Sequence, residues 1–217
     1  MQLVLASRSP RRRELLALTG LPFRVVVPRT DETQRPGEPP EAYARRLSQE
    51  KAGAAAAMLD ERALVLAADT IVVDGSDVLG KPADAGEARA MLRRLRGRTH
   101  HVMTGLTLLD TATGRRRTEL AISPVPMREY TDEEIEAYIA SGDPFDKAGA
   151  YGIQNHGFHP AEGFAHCFSN VMGLPLCHVT RMLRDSGLPP PVDVAAACEQ
   201  ALGYRCPLFE DVLAGRA

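Results

Sequence analysis

From Ala63 to Val73 the chain is apolar at every position except Asp69 and Thr70, and no other stretch limits its architecture so tightly. The run is far shorter than the ~18 apolar residues of a membrane span, and it carries Ile71, Val72 and Val73, so it reads as a buried strand. Its one carboxylate must face either the core or a cleft. Burying Asp69 unpaired would cost several kcal/mol. A metal ion, a basic partner, a proton-transfer role or backbone N–H groups at a strand end would each offset that cost.

A second feature lies near the N-terminus. Ser7-Arg8-Ser9-Pro10-Arg11-Arg12-Arg13 stands between the apolar run Leu3–Ala6 and a helical pattern carrying Leu15, Leu16 and Leu18. Ser9 reads as the N-cap and Pro10 as the first helical residue, so the arginines crowd a helix start that already carries about half a positive charge. This suits an anion such as a phosphate chain, which backbone N–H groups and forked guanidinium donors bind well. The alternative is a solvated basic surface.

Strand and helix patterns alternate along the rest of the chain. Gly20 ends the first helix, Phe23–Val27 reads as a strand, and Asp31-Glu32 form an acidic loop before the prolines at 36, 39 and 40. A helix is expected over Glu41–Met58, followed by the Ala63–Val73 strand and a turn at Asp74-Gly75. Asp84 caps a helix with Ala88, Met91, Leu92 and Leu95 on one face, stopping at Gly97. Val102–Leu109 returns as a strand, with a turn at Gly114. Thr131 and Glu134 make a capping box for a helix running through Ile139 to about Gly142. Gly149–Gly163 reads as a loop over a site, and Pro175 opens a helix to Arg184. Past Gly187 come a proline hinge and a short helical piece, Val194–Leu202. The class is α/β.

Composition narrows the partners. At 217 residues the chain is long enough for one large or two small lobes, and its 44% hydrophobic and 25% charged content is that of an ordinary globular protein. A net charge of -2 argues against nucleic acid as the main partner. No stretch predicts a membrane span, and the N-terminal apolar run is too short for a signal peptide, so a cytoplasmic location is expected. Cys167, Cys177, Cys198 and Cys206 lack the close pairing of a zinc site and read as free thiols. His156, His159 and His166 do not match a helical zinc pair.

Only Lys51, Lys81 and Lys147 are lysine; the other 23 of the 26 basic residues are arginine. In so Arg-biased a chain, each remaining Lys marks a place where a compact ammonium fits and a planar fork would not. There is neither a Gly-x-x-x-x-Gly-Lys loop nor a Gly-x-Gly-x-x-Gly turn, so P-loop and Rossmann readings have no support.

Six segments, taken in order, resemble the Maf family of nucleoside triphosphate pyrophosphatases. They are the Ser-Pro-Arg-Arg start, Asp31-Glu32, Glu50-Lys51-Ala52, Ala68-Asp69-Thr70, Leu79-Gly80-Lys81-Pro82 and Asp146 to Gln154. The match runs from Leu3 to about Arg184. It sets residues 1–185 as the Maf-like domain and leaves 186–217 as a tail of unknown role. The segment from His156 to Ser169 departs from the family's usual strand-like alternation. The resemblance implies an elongated mixed sheet with flanking helices and two lobes around a deep cleft, as in inosine triphosphatases. It implies hydrolysis of a nucleoside triphosphate to the monophosphate and pyrophosphate, a divalent cation (Mg²⁺ or Mn²⁺), and a homodimer.

By the same resemblance Asp69 is the general base, Ser7, Arg12, Lys51 and Lys81 surround the phosphates, and Glu32 and Asp69 hold the metal. Family members acting on 7-methylguanosine triphosphate carry an aromatic residue at the position of Arg11 and an acidic one near Gln154, a sensible pair for a cationic base. This chain has neither. Arg11, Thr70 and Gln154 resemble the branch acting on dTTP and UTP, and an amide such as Gln154 can both donate to and accept from a pyrimidine edge. The alternatives are 7-methyl-GTP hydrolysis or a non-catalytic nucleotide-binding role in the control of septum formation.

Overall fold

The computed structural model describes residues 1–216. Strands β1 (Gln2–Ala6), β2 (Phe23–Val26), β3 (Ala63–Asp74), β4 (Asp77–Leu79), β5 (Thr99–Asp110) and β6 (Arg116–Pro126) form one mixed sheet. Its order is β2-β1-β3-β5-β6, with β4 paired to β3 alone. β1 runs parallel to both β2 and β3, whereas β3 is antiparallel to β4 and β5, and β5 to β6. The helices are α1 (Pro10–Ala17), α2 (Pro40–Ala56), α3 (Ala85–Leu95), α4 (Asp132–Ala140), α5 (Phe168–Val171), α6 (Leu176–Asp185), α7 (Val194–Leu202) and α8 (Phe209–Leu213).

The length of β3 and β5 explains the two lobes. At 12 residues each, and about 3.3 Å per residue, they extend roughly 40 Å and cannot be covered by one core. At one end Leu3, Leu5, Leu64, Leu66 and Leu108 pack against Leu15 and Leu16 of α1 and Val179, Met182 and Leu183 of α6. On the opposite face of that end, Val4, Ala63, Val65 and Ala67 meet Ala52 and Ala55 of α2. Both faces of β3 are therefore covered, so its sequence is continuously apolar instead of alternating. At the far end Val72, Leu79, Val102 and Val125 pack with α3 and α4 around Tyr130, Tyr138 and Phe158.

The helix expectations hold to within a residue or two. Asp84 accepts a hydrogen bond from Glu87 N as the cap of α3, whose buried face is Ala88, Met91, Leu92 and Leu95. The capping box of Thr131 and Glu134 is formed at α4. Four elements went unread in the sequence: β4, β6, α5 and α8. β6 is an edge strand with Arg116, Arg117, Pro124 and Pro126 in it, and an edge tolerates both charge and proline because one side of its backbone needs no partner. β4 is a three-residue return of β3 through a turn at Gly75, where φ is +65°.

One further expectation changes. The segment from Gly149 to Gly163 is not simply a loop over a site, because Phe158 plugs the far core, its ring 4.2 Å from Tyr138 and 4.8 Å from Tyr130. The tail beyond Gly187 is packed, with Val194, Leu188, Cys198 and Leu202 joining the core beside α6. Arg181 Nη1 also donates to the Val212 carbonyl at 2.8 Å.

Candidate active site

The site begins as a break in strand pairing. On one side of β3, pairing with β1 stops at Ala67 and pairing with β4 starts at Val72. Ala68, Asp69, Thr70 and Ile71 face that gap without a strand neighbour, while their other edge is bound to β5. A cleft of about 500 Å³ opens there between the lobes, lined by Ser7, Arg12, Glu32, Lys51, Asp69 and Lys81 among others. Side chains alternate along a strand, so Asp69 turns towards α2 and Thr70 towards α1, and both reach the cleft.

Lys51 is delivered to Asp69 by a close helix–sheet contact. Gly105 of β5 is the register partner of Asp69, and a Cβ there would collide with the Ala44 carbonyl of α2. Lys51 lies two turns along α2 from Ala44, on the same face. Its ammonium pairs with Asp69 Oδ1 and, at 2.9 Å, with Glu32 Oε1. Asp69 is only 6% exposed. Burial raises its proton affinity above the ordinary carboxylate range, against the lowering charges of Lys51 and Arg12. Burial also works to raise Glu32, but the hydrogen bond and charge of Lys51, with Lys81 and Arg8 behind it, hold that carboxyl below its usual value.

The arginine cluster is engaged differently from what the sequence suggests. The cap is as expected: Ser9 Oγ accepts from Arg12 N, with Pro10 opening α1. However, Arg12 makes its hydrogen bonds within the protein, and Arg11 an ion pair. Arg12 Nε donates to Gly173 O at 2.8 Å, Nη1 to Ala68 O at 2.7 Å and Nη2 to Thr70 Oγ1 at 3.0 Å. Arg12 thus ties α1 to the open edge of β3 and to the segment before α6, and its burial lowers its pKa. Arg11 Nη1 pairs with Asp146 Oδ2 at 2.9 Å across one end of the cleft. Arg13 is exposed. The hydrogen bonds of Arg12 are therefore met within the protein.

The other expected residues divide between the cleft and its supports. Ser7 is buried and its Oγ accepts from Ser9 N at 3.0 Å. Thr70 Oγ1 is shared with Arg12 and with Thr104 Oγ1 at 2.9 Å, so its hydroxyl is committed beneath the cleft. Gln154 lines the cleft, and Lys81 stands exposed at its edge. Gly149 N donates to Gly80 O at 3.0 Å, which joins the two motifs that carry Lys81 and Gln154. Lys147 is held by Asp143 O, Asp143 Oδ1 and Asp146 Oδ1 at 2.6 to 2.7 Å, so all three of its protons are used.

Sequence reasoning passed over Tyr43 and Gly173, and it placed Arg8 and Asp146 in motifs without giving either a role of its own. Tyr43 OH donates to Glu32 O at 2.6 Å, tethering the acidic loop to α2. Asp146 was signalled by its place beside Lys147, but its pairing with Arg11, 135 residues away, leaves no local trace. Among the described residues no group of three or more His, Cys, Asp or Glu is arranged to hold a metal ion. Among the described residues no helix is long and apolar enough to cross a membrane.

The family model described as Maf-like protein matches residues 2–186. The dTTP/UTP pyrophosphatase of Syntrophus aciditrophicus is 47% identical over 186 residues, covering 86% of this chain and 90% of its own. That of Myxococcus xanthus is 48% identical over 190 residues, with 87% and 94% covered. That of Dechloromonas aromatica is 45% identical over 202 residues, with 88% and 100% covered. Among solved structures, the nucleoside-triphosphatase / dITP/XTP pyrophosphatase of Mycobacterium abscessus overlaps 58% of this chain and 73% of its own at a TM-score of 0.35 and 15% identity. The family match spans the sheet, the cleft and α6, and the relatives are alike over nearly their whole length: this chain belongs to the Maf family.

Proposed function

We propose that the cleft hydrolyses dTTP and UTP to the monophosphate and pyrophosphate. The observation that carries this reading is Asp69, a carboxylate of raised proton affinity at the unpaired edge of β3, facing a cleft whose walls bear Arg8, Arg12, Lys51 and Lys81. A base must hold its proton neither too weakly nor too tightly, and burial moves Asp69 in the useful direction. Asp69 takes a proton from a water that attacks the α-phosphorus. The α–β anhydride bond breaks, and pyrophosphate leaves with the negative charge that Lys51 and Lys81 offset. The hydroxyl and N–H groups around Ser7 orient phosphate oxygens at the start of α1.

The donors present fit a divalent cation of the Mg²⁺ or Mn²⁺ type. Glu32 and Asp69 are carboxylates turned towards one positive charge, the Lys51 ammonium, and Mg²⁺ is commonly bound by one or two carboxylates plus water and substrate phosphate. When bound, such an ion neutralises phosphate charge. The pyrimidine preference rests on the names of the relatives and on Gln154, whose amide matches both donors and acceptors of a pyrimidine edge.

Product analysis with a panel of triphosphates plus Mg²⁺ or Mn²⁺ tests the reading. Monophosphate and pyrophosphate from dTTP and UTP are expected. A clear lead for 7-methylguanosine triphosphate would overturn the base preference. Tight nucleotide binding with no turnover of any triphosphate would assign the cleft to nucleotide sensing instead.

A further inference from the structure

We propose that Cys206 and Cys167 form a peroxide-oxidised dithiol, in which Cys206 is oxidised first and Cys167 closes a disulfide that locks the tail to the body. All four cysteines are free thiols, yet residues separated by as many as 39 positions in the chain line one small apolar cavity between α6, α7 and the segment carrying α5. Cys167 immediately precedes α5, on the body. Cys206 lies in the tail, in the turn between α7 and α8.

Four contacts fix the turn carrying Cys206 beside the segment carrying Cys167. The Tyr204 ring packs against Phe164 at 5.6 Å and Phe168 at 5.3 Å, and its hydroxyl donates to Phe164 O at 3.3 Å. Two residues further on, Cys206 N donates to Glu199 Oε1 at 2.8 Å. The turn is thereby pinned over the residue next to Phe168, which is Cys167. Among the described residues no set of three or more potential ligands has a metal-holding arrangement, so the cluster reads as thiol chemistry and not as a zinc site.

The four sulfurs are not equivalent. The neighbouring Cys167 thiol, with the backbone N–H groups of Leu208 and Phe209, outweighs partial burial and holds the Cys206 thiol below its ordinary value. Cys167, beside it and buried, is pushed up. Burial pushes Cys198 up to about 11 and Cys177 up to about 12. A partly exposed thiol of lowered pKa beside one of raised pKa is the arrangement of an attacking and a resolving cysteine.

The chemistry balances with a hydroperoxide as the oxidant. The Cys206 thiolate attacks one peroxide oxygen, the O–O bond breaks, and after protonation of the leaving group the products are Cys206 sulfenic acid and water (or an alcohol). Cys167 sulfur then attacks the sulfenic sulfur, its own proton leaves with the hydroxyl as a second water, and the S–S bond forms. Each thiol has lost one electron and one proton, and the peroxide has accepted both electrons. A dithiol of this kind is compatible with a reducing compartment, where disulfides are mostly transient and redox-sensing.

The test is peptide mapping and intact mass after a brief, graded dose of hydrogen peroxide on the full chain. Loss of two hydrogens per chain and a Cys167–Cys206 cross-linked peptide are expected, reversed by dithiothreitol. In Cys167→Ser, Cys206 should stop at the sulfenic acid and take a dimedone label; in Cys206→Ser, oxidation of Cys167 should slow at least tenfold. A disulfide through Cys177 or Cys198, dimedone on Cys167 before Cys206, or co-purifying stoichiometric zinc would overturn the proposal. If a variant fails to fold, the order of iodoacetamide alkylation in the unmodified protein decides: Cys206 first supports it, any other cysteine first rejects it.

Discussion

At Asp69 two demands pull in opposite directions, since burial raises its proton affinity while Lys51 and Arg12 lower it. As the proposed base it must be ionised, so activity is present above its folded pKa and lost as pH falls through that value. Replacing Lys51 by methionine removes the largest opposing charge, and the acid limb of kcat/KM should move to higher pH than in the parent. A pH–rate profile with dTTP checks this; an unmoved limb would mean that another group titrates. Asp69→Asn should abolish that limb and lower kcat by about 10²- to 10⁴-fold, the usual range for a general base, with nucleotide binding kept. The acid itself was legible in the sequence, because a lone carboxylate in an apolar strand demands an explanation. The fate of Arg12 was not. Its three acceptors are two backbone carbonyls and a hydroxyl far along the chain, and no residue pattern advertises a carbonyl.

Elements differ in how much they say about themselves. The helices α3 and α4 announce both ends through Asp84 and through the box of Thr131 and Glu134, because caps are made by neighbours in the chain. Thr131→Ala should therefore cost about 1 kcal/mol in urea unfolding, with turnover unchanged since α4 stands apart from the cleft. Gly105→Ala is expected to behave otherwise. A methyl there meets the Ala44 backbone, so α2 must shift, and α2 carries Lys51. Stability should fall by about 1–3 kcal/mol, typical of overpacking, and kcat/KM should fall with it. Preserved kcat/KM in that variant would show that the helix–sheet contact does not position the site. Nothing local marks this glycine, nor the edge strand β6, whose prolines and arginines hide it until its pairing with β5 is seen.

Over the whole molecule, two buried histidines set a limit to stability in acid. Burial lowers both His100 and His178 from 6.5 to about 4, and each has an Nδ1 without a hydrogen-bond partner. A depressed histidine pKa means that the unfolded chain binds the extra proton first. Stability is thus fully present above pH 6.5 and lost as pH falls towards 4, by on the order of 3 kcal/mol for each histidine. Thermal melts from neutral pH down to pH ~5 should show a falling Tm, and His178→Gln should flatten the slope; equal slopes would exclude that histidine. The sequence by itself determined the α/β class, most helix boundaries, the buried acid and the motifs of the family, because periodicity, capping and the cost of an unpaired charge act over a few neighbouring residues. Only the tertiary structure decided where β1 and β4 leave β3 unpaired, which carbonyls take Arg12, and that four scattered cysteines meet under the tail. Those outcomes depend on which distant segments pack together, and packing free energy is shared among many contacts instead of being written at any one position.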